Sequence, residues 1–180
     1  MGRTYQVLVL AVGVLILVGC RRQEQTALPS SLIADGKPAI RVHLEPTYVR
    51  VTSKATGANI IPGVDIYAGG GCIVRSFDGT EVESRISEQQ LAILLRFFEA
   101  ERILGLTDTT VDGALTRETV GPGVFSTHQN YTRLVIRQPN VLTYVSRYDL
   151  ANEIKSHPNC RELQAIQRCV DKIYEIVASK

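Results

Sequence analysis

The chain opens on an apolar run and then changes its hydrophobic period several times. Residues 7–18 are apolar throughout, 12 in all. That is shorter than the roughly 20 needed to span a bilayer and suits the core of a secretory signal. From 21 to 36 the pattern is polar and loosely ordered and reads as a linker. Within it, Leu28, Leu32 and Ile33 are able to dock on a following domain. Period-two alternation begins at 39–44, with Ile40, Val42 and Leu44 on one side and Arg41 and His43 on the other, a half-buried strand. Pro46 then marks an edge or a bend. Residues 47–52 and 64–68 are further candidate strands. Residues 72–77 and 80–86 read as a hairpin around Asp78-Gly79. A two-residue turn there sets Phe77 opposite Thr80, Arg75 opposite Val82 and Ile73 opposite Ser84. Ile73, Phe77 and Val82 then share a core face.

Helical spacing follows. Ser87-Glu88-Gln89-Gln90 is a capping-box pattern. It predicts a helix running to Leu104, with Gly105 as its C-terminal cap. Leu91, Leu94, Leu95 and Phe98 form one apolar stripe, and Ile93, Phe97, Ala100 and Leu104 a second. Two stripes predict burial on two sides. The second is expected beneath another element of the chain rather than beneath a partner, because exposed apolar patches are uncommon. Residues 106–125, with Gly113, Gly121, Pro122 and Gly123, read as a long irregular stretch, either functional or disordered. Residues 130–137 and 141–148 form a second hairpin around Pro139-Asn140, with proline at the second position of a type I or II turn. In a two-residue register Leu134, Ile136, Val141 and Val145 share one face. The other carries Tyr131, Val135, Tyr144 and Tyr148 with Arg133 and Arg137. A last helix begins at 156–159, beside Pro158, and its apolar face is Leu163, Ile166, Val170, Ile173 and Val177. These elements predict an α+β domain over residues 37–180: an antiparallel sheet of about five or six strands with two helices packed on one face.

Charge narrows the partners. Among 180 residues, 20 Lys and Arg face 18 Asp and Glu, a formal net charge of +2. That excludes the electrostatic footprint of a nucleic-acid binder. With 44% hydrophobic and 21% charged residues the chain is globular in composition.

The apolar run ends in Leu17-Val18-Gly19-Cys20. At these residues the chain resembles bacterial lipoproteins, whose lipobox is a branched apolar residue, a small or branched one, Gly and the lipid-bearing Cys. The resemblance implies that residues 1–19 are a cleaved signal peptide and that residues 20–36 are the lipidated N-terminus and linker. It also implies diacylglycerol on the Cys20 sulfur and a further acyl chain, such as palmitate, on its amino group. A thiolate suits the reaction because it is the strongest nucleophile among side chains. Several chains are needed because one anchors only marginally. The expected location is the cell envelope. In a Gram-negative host, Arg21 rather than Asp after Cys20 points to the outer membrane, facing the periplasm. Beyond Gly69 the chain also resembles uncharacterised secreted bacterial domains, with a Gly/Cys turn, an Asp-Gly hairpin, a helix, a later hairpin and a terminal helix. Those domains carry no known activity.

Outside the cytoplasm a disulfide is expected. Cys160 and Cys169 are nine residues apart. On one helix that is about 13.5 Å, beyond the ~7 Å a disulfide can bridge. Cys72 is therefore the expected partner of one of them, with Cys160 preferred because it sits at a helix start. Gly69-Gly70-Gly71-Cys72 lacks the Lys-Ser/Thr of a phosphate loop and reads as a bend. Asp108-Thr109-Thr110-Val111-Asp112-Gly113 begins like a calcium loop, but position 12 is Thr119 rather than Glu. His43, His128 and His157 have no metal-ligand spacing, and no Gly-x-Ser-x-Gly elbow occurs. No cofactor, metal or catalytic residue is assigned. The chemistry that stands out is the Tyr131, Arg133, Arg137, Tyr144 and Tyr148 face, since Tyr and Arg concentrate at binding hot spots. An ordinary outward strand face gives the same composition. The expectation is a non-enzymatic, lipid-anchored binding module with an envelope-protein or cell-wall partner. The alternatives are a hydrolase with a site around residues 106–125 and a small enzyme inhibitor.

Overall fold

The computed structural model describes residues 32–46, 51–52, 59–60, 62–117 and 130–179. The expected signal peptide, the lipobox-like residues with Cys20, and residues 118–125 of the long stretch lie outside them. The strands are β1 (Ile40–Pro46), β2 (Val51–Thr52), β3 (Asn59–Ile60), β4 (Gly63–Ile66), β5 (Gly71–Arg75), β6 (Glu81–Arg85), β7 (Asn130–Gln138) and β8 (Val141–Tyr148). The helices are α1 (Glu88–Ala100), α2 (Asp108–Leu115), α3 (Leu150–Ser156) and α4 (Arg161–Ala178). Six strands form one open antiparallel sheet in the order β6-β5-β4-β1-β7-β8, and β2 and β3 pair separately. The fold is α+β, with four helices among the described residues where the sequence pattern showed two.

β1 alternates as expected, but it lies inside the sheet, between β4 and β7. Pro46 is its last residue and stands opposite Asn130, so it ends the strand rather than marking an edge. Ile40, Val42, Val64, Ile66, Cys72, Leu134, Ile136, Thr143 and Val145 lie on one face by register and are buried. The apolar ones join Leu94, Phe98, Leu163, Ile166 and Ile173 of the helices in one core.

The first hairpin corrects the predicted register. Ser76 N–H donates to Thr80 O at 2.9 Å and Gly79 N–H to Ser76 O at 3.1 Å. The loop is therefore three residues long, and only Gly79 of the Asp-Gly pair takes a positive φ, +80°. A turn closed by a glycine in this conformation adds one residue to the loop. Val74 thus faces Val82, Cys72 faces Ser84 and Arg75 faces Glu81. Phe77 and Val82, expected in the core, are each 52% exposed, and Cys72 takes the buried position instead. The β4–β5 turn has the same pattern, with Tyr67 N–H to Gly71 O and Gly70 N–H to Tyr67 O, both 2.8 Å. The Gly-rich bend is thus an ordered turn. The second hairpin has the expected two-residue loop: Gln138 faces Val141, Leu134 faces Val145 and Val135 faces Tyr144.

Ser87 caps α1 through the predicted box with Gln90. The helix stops at Ala100, a turn short of Leu104. Arg102 adopts φ +55°, Ile103 N–H returns to Phe98 O at 3.1 Å and Arg102 N–H to Glu99 O at 3.0 Å. This is a Schellman closure, and its characteristic apolar contact falls between Phe98 and Ile103, both fully buried. The first predicted stripe of α1 is buried. The second is covered only in part by the described residues: Phe97 and Leu104 are half-buried against the core, while Ile93 is 44% exposed and Ala100 is exposed. The stretch after Leu106 is not irregular at first. Thr107 and Thr110 form a reciprocal cap that starts α2, and the Asp108–Gly113 segment is helical rather than a cation loop. α4 buries all five predicted apolar residues along with Cys169.

Leu32, the end of the linker, is also buried in the core, and Ile33 N–H donates to Arg137 O at 3.3 Å. The linker therefore docks before the domain begins at residue 37. Cys72, Cys160 and Cys169 are all buried and no disulfide joins them, so the expected Cys72–Cys160 link is not formed. Cys160 instead points its thiol at Glu162 Oε2, 3.7 Å away.

Candidate functional site

The register of β1, β4, β5, β7 and β8 fixes the composition of the second sheet face. It carries Arg41, His43, Glu45, Asp65, Arg75, Tyr131, Arg133, Val135, Arg137, Leu142, Tyr144 and Tyr148. All five predicted surface residues are brought together on it. Tyr131, Tyr144 and Tyr148 are 38%, 42% and 38% exposed. Tyr131 and Tyr148 face each other across the β7–β8 ladder, with ring centroids 5.2 Å apart and planes tilted by 56°. Such a tilted pair gains from the ring quadrupoles and holds both rings in place.

The arginines of this face are fixed by acids from other elements. Arg133 pairs with Glu45 of β1 at 2.8 Å and reaches Ser146 Oγ at 3.3 Å. Arg137 forks onto Asp35 of the linker at 3.0 and 2.6 Å. Those hydrogen bonds hold the Asp35 carboxyl well below the usual carboxylate range. A bidentate fork orients a guanidinium more narrowly than a single contact does.

At the centre of the face sits a group that sequence reasoning missed. Asp65 is 2% exposed. It receives Arg41 Nε at 2.8 Å, Arg75 Nη1 at 2.6 Å and contacts His43 Nε2 at 3.2 Å. Burial pushes its carboxyl up, but hydrogen bonds from His43, Arg75 and Arg41 outweigh burial and hold it far below the usual range. The available signal was an Asp in the middle of an otherwise apolar strand, Gly63–Ile66. A buried carboxylate there requires cations at its register positions, and Arg41 lies opposite it on β1.

A second network lies on the opposite, core-facing side. Arg147, buried, forks onto Glu153 of α3 through Nε at 2.9 Å and through Nη2, and reaches Asp112 of α2 at 2.7 Å. Asp108 accepts the Ser146 amide at 2.8 Å. The carboxylates of the described part of the 106–125 stretch, Asp108 and Asp112, are thus engaged in holding α2 to β8, as Glu153 holds α3. Among the described residues no group of three His, Cys, Asp or Glu side chains is placed to hold a metal ion.

β8 is an edge strand, but its middle is occupied. Tyr144 N–H donates to Leu106 O at 3.1 Å, and Ser146 N–H is the one taken by Asp108. β6, at the other edge, is short and carries Glu81, Glu83 and Arg85. Both devices discourage pairing with another chain's strand. Two depressions, of about 610 and 520 Å³, lie off the tyrosine face. One is at the end of α1 beside Arg161 and Arg168, the other at the start of α1 beside Gly69 and Arg85. A smaller basin of about 240 Å³ lies on the face itself, lined by Lys37, Pro38, Arg41, Val135 and Arg137. Comparison with known protein families, with curated proteins and with solved structures gives no match.

Proposed function

We propose that the chain is a lipid-anchored protein of the bacterial cell envelope, tethered through Cys20, and a non-enzymatic binding module. Its partner is another envelope protein, engaged by the sheet face that carries Tyr131, Tyr144 and Tyr148. One observation supports this above the rest: three half-exposed tyrosines share one face with arginines already held in place by Glu45 and Asp35. Rigid aromatics and pre-oriented guanidinium groups lose little freedom on association, which is why such residues contribute strongly at interfaces. Because the middle of the β8 edge is taken by Leu106 and Asp108, the partner meets side chains on the face rather than adding a strand.

The test is site-specific photo-crosslinking in intact cells. A benzophenone amino acid at Tyr144 is compared with one at Val82, exposed on the remote β6 strand. A discrete adduct from position 144, absent at 82 and lost with Arg133→Ala, supports the reading. Equal adducts from both positions, or none from 144, reject it. Tyr144→Ala with Arg133→Ala leaves the circular dichroism spectrum unchanged and abolishes co-purification of the crosslinked partner.

A further inference from the structure

The linker does not enter the domain at an arbitrary place. Leu32 is buried, Ile33 bonds the backbone of Arg137, and Asp35 takes the Arg137 fork. All three fix the linker beside the last residues of β7, next to the Pro139-Asn140 turn. Twelve residue steps separate Cys20 from Leu32. A chain of that length reaches about 40 Å fully extended and roughly 20 Å on average as a coil.

The same end of the sheet presents an apolar tip. Pro139, Asn140, Val141 and Leu142 are consecutive exposed residues, with Val141 at 37% and Leu142 at 58%, the latter the most exposed of the large hydrophobic residues described. Beside it lie exposed Lys37 and the basin lined by Lys37, Arg41 and Arg137. Arg137 is matched by Asp35 and Arg41 by Asp65, so the surplus charge of this rim is the Lys37 ammonium.

We propose that this tip rests on the lipid surface, with Val141 and Leu142 in the headgroup–acyl boundary and Lys37 toward lipid phosphates. This inference rests on the anchoring proposed for Cys20. The occupant is a bilayer because of where the tether emerges. Turning the opposite end of the sheet to the membrane would require the connection to run back along the nine residues of β7, about 30 Å, and exceed its average coil length. Exposed aliphatic residues next to a cation are the chemistry of an interfacial contact, which is weak alone and sufficient when a lipid chain already holds the protein nearby. The contact leaves the Tyr131–Tyr148 pair at the end of the sheet away from the membrane.

The chain contains no tryptophan, so a single one reports its own surroundings. The full lipidated protein is reconstituted into vesicles of phosphatidylethanolamine and phosphatidylglycerol with brominated acyl chains. Leu142→Trp is compared with Phe77→Trp, at a position 52% exposed on the β5–β6 turn at the other end of the sheet. Emission of Leu142→Trp falls about twofold or more as the ring enters the brominated layer, while that of Phe77→Trp is unchanged. Protein that fails to float with the vesicles overturns the anchoring itself. Floating protein with Leu142→Trp unquenched, or with both sites quenched alike, overturns the tip contact and leaves the anchoring standing.

Discussion

Replacing Asp65 by Asn tests the central reading of the sheet face. Asn keeps the size of the side chain and removes its charge. Three groups then lose the anion they surround: Arg41, at 39% side-chain exposure, Arg75, at 19%, and His43. Breaking a buried ion pair on one side typically costs 3–5 kcal/mol. Two features reduce that figure. Arg41 reaches solvent, and Arg75 retains Glu81 at 3.3 Å. About 2–3 kcal/mol remains, a fall in midpoint temperature of roughly 5–10 °C for a chain of this size. The cost also depends on pH. The folded carboxyl is held below its unfolded value, so its contribution is fully present above about pH 4 and is lost as pH falls further, toward the folded value. Urea unfolding of the Cys20→Ser chain and its Asp65→Asn derivative, followed by far-UV circular dichroism at pH 7 and at pH 3, reads both effects. The gap between the two proteins is full at pH 7 and narrows at pH 3. Equal stability at pH 7, or a gap that does not change with pH, would refute the idea that a charged Asp65 organises this face.

Gly63→Ala is expected to be among the most damaging single changes, because an added Cβ would stand 2.0 Å from Val42 O of the neighbouring strand, at a φ of +153°. Thermal denaturation should show a loss of about 3 kcal/mol or more, as core overpacking does. Arg102→Gly works in the other direction: with φ +55° at the Schellman position, the change should stabilise by roughly 1 kcal/mol in urea titrations. Arg147→Met leaves Glu153 and Asp112 without their shared cation and should cost about 2–4 kcal/mol, with faster amide exchange confined at first to α2 and α3. Burial pushes the Cys169 thiol up to about 12, so thiolate is scarce at pH 8. In the Cys72→Ser, Cys160→Ser chain that also carries Cys20→Ser, iodoacetamide should label Cys169 only at the rate of unfolding, as measured by mass spectrometry.

Strand alternation was the most legible feature of the sequence, because β1, β7 and β8 each turn one face to the core. Tyr131, Arg133, Arg137, Tyr144 and Tyr148 share a face by alternation within their own strands, and the two-residue turn at Pro139-Asn140 sets the pairing expected of it. The first hairpin failed at its turn: a glycine at the end of the loop can close either a two- or a three-residue connection. One residue of difference put Phe77 in the loop and set Val82 opposite Val74 rather than Arg75, and Val82 is exposed because β6 is an edge strand. α2 and α3 were missed because both are short and bury few residues, Val111 and Ala114 in one and Leu150 in the other. Their place is set by Arg147, whose acid partners are 35 and 6 residues away. Such long-range convergence leaves no local spacing to read. The Asp65 cluster hid for the same reason, with Arg41 and His43 more than 20 residues before it.

The two charge networks divide the work of the sheet. On the core-facing side, Arg147 ties α2 and α3 to β8, and the segment leading into α2 closes the β8 edge. On the other side, each arginine is matched by an acid from a different part of the chain: Asp35 from the linker, Glu45 from β1, Asp65 from β4. Matching of this kind removes most of the net charge while leaving the tyrosine rings exposed and the arginines partly so. A face so arranged has little long-range attraction for nucleic acid or for strongly charged polymers. Its affinity would come from close contact with a complementary protein surface. Because the Asp35–Arg137 fork also fixes the linker, the linker and the face share one residue, Arg137. Arg137→Ala should therefore loosen the domain's orientation on the membrane as well as weaken the partner's grip. Arg133→Ala, which leaves Asp35 and Leu32 in place, should affect the partner alone. Comparing the two variants by Leu142→Trp quenching and by Tyr144 crosslinking separates orientation from recognition. Identical effects of both variants on both readouts would show that the face and the tether are not coupled through Arg137.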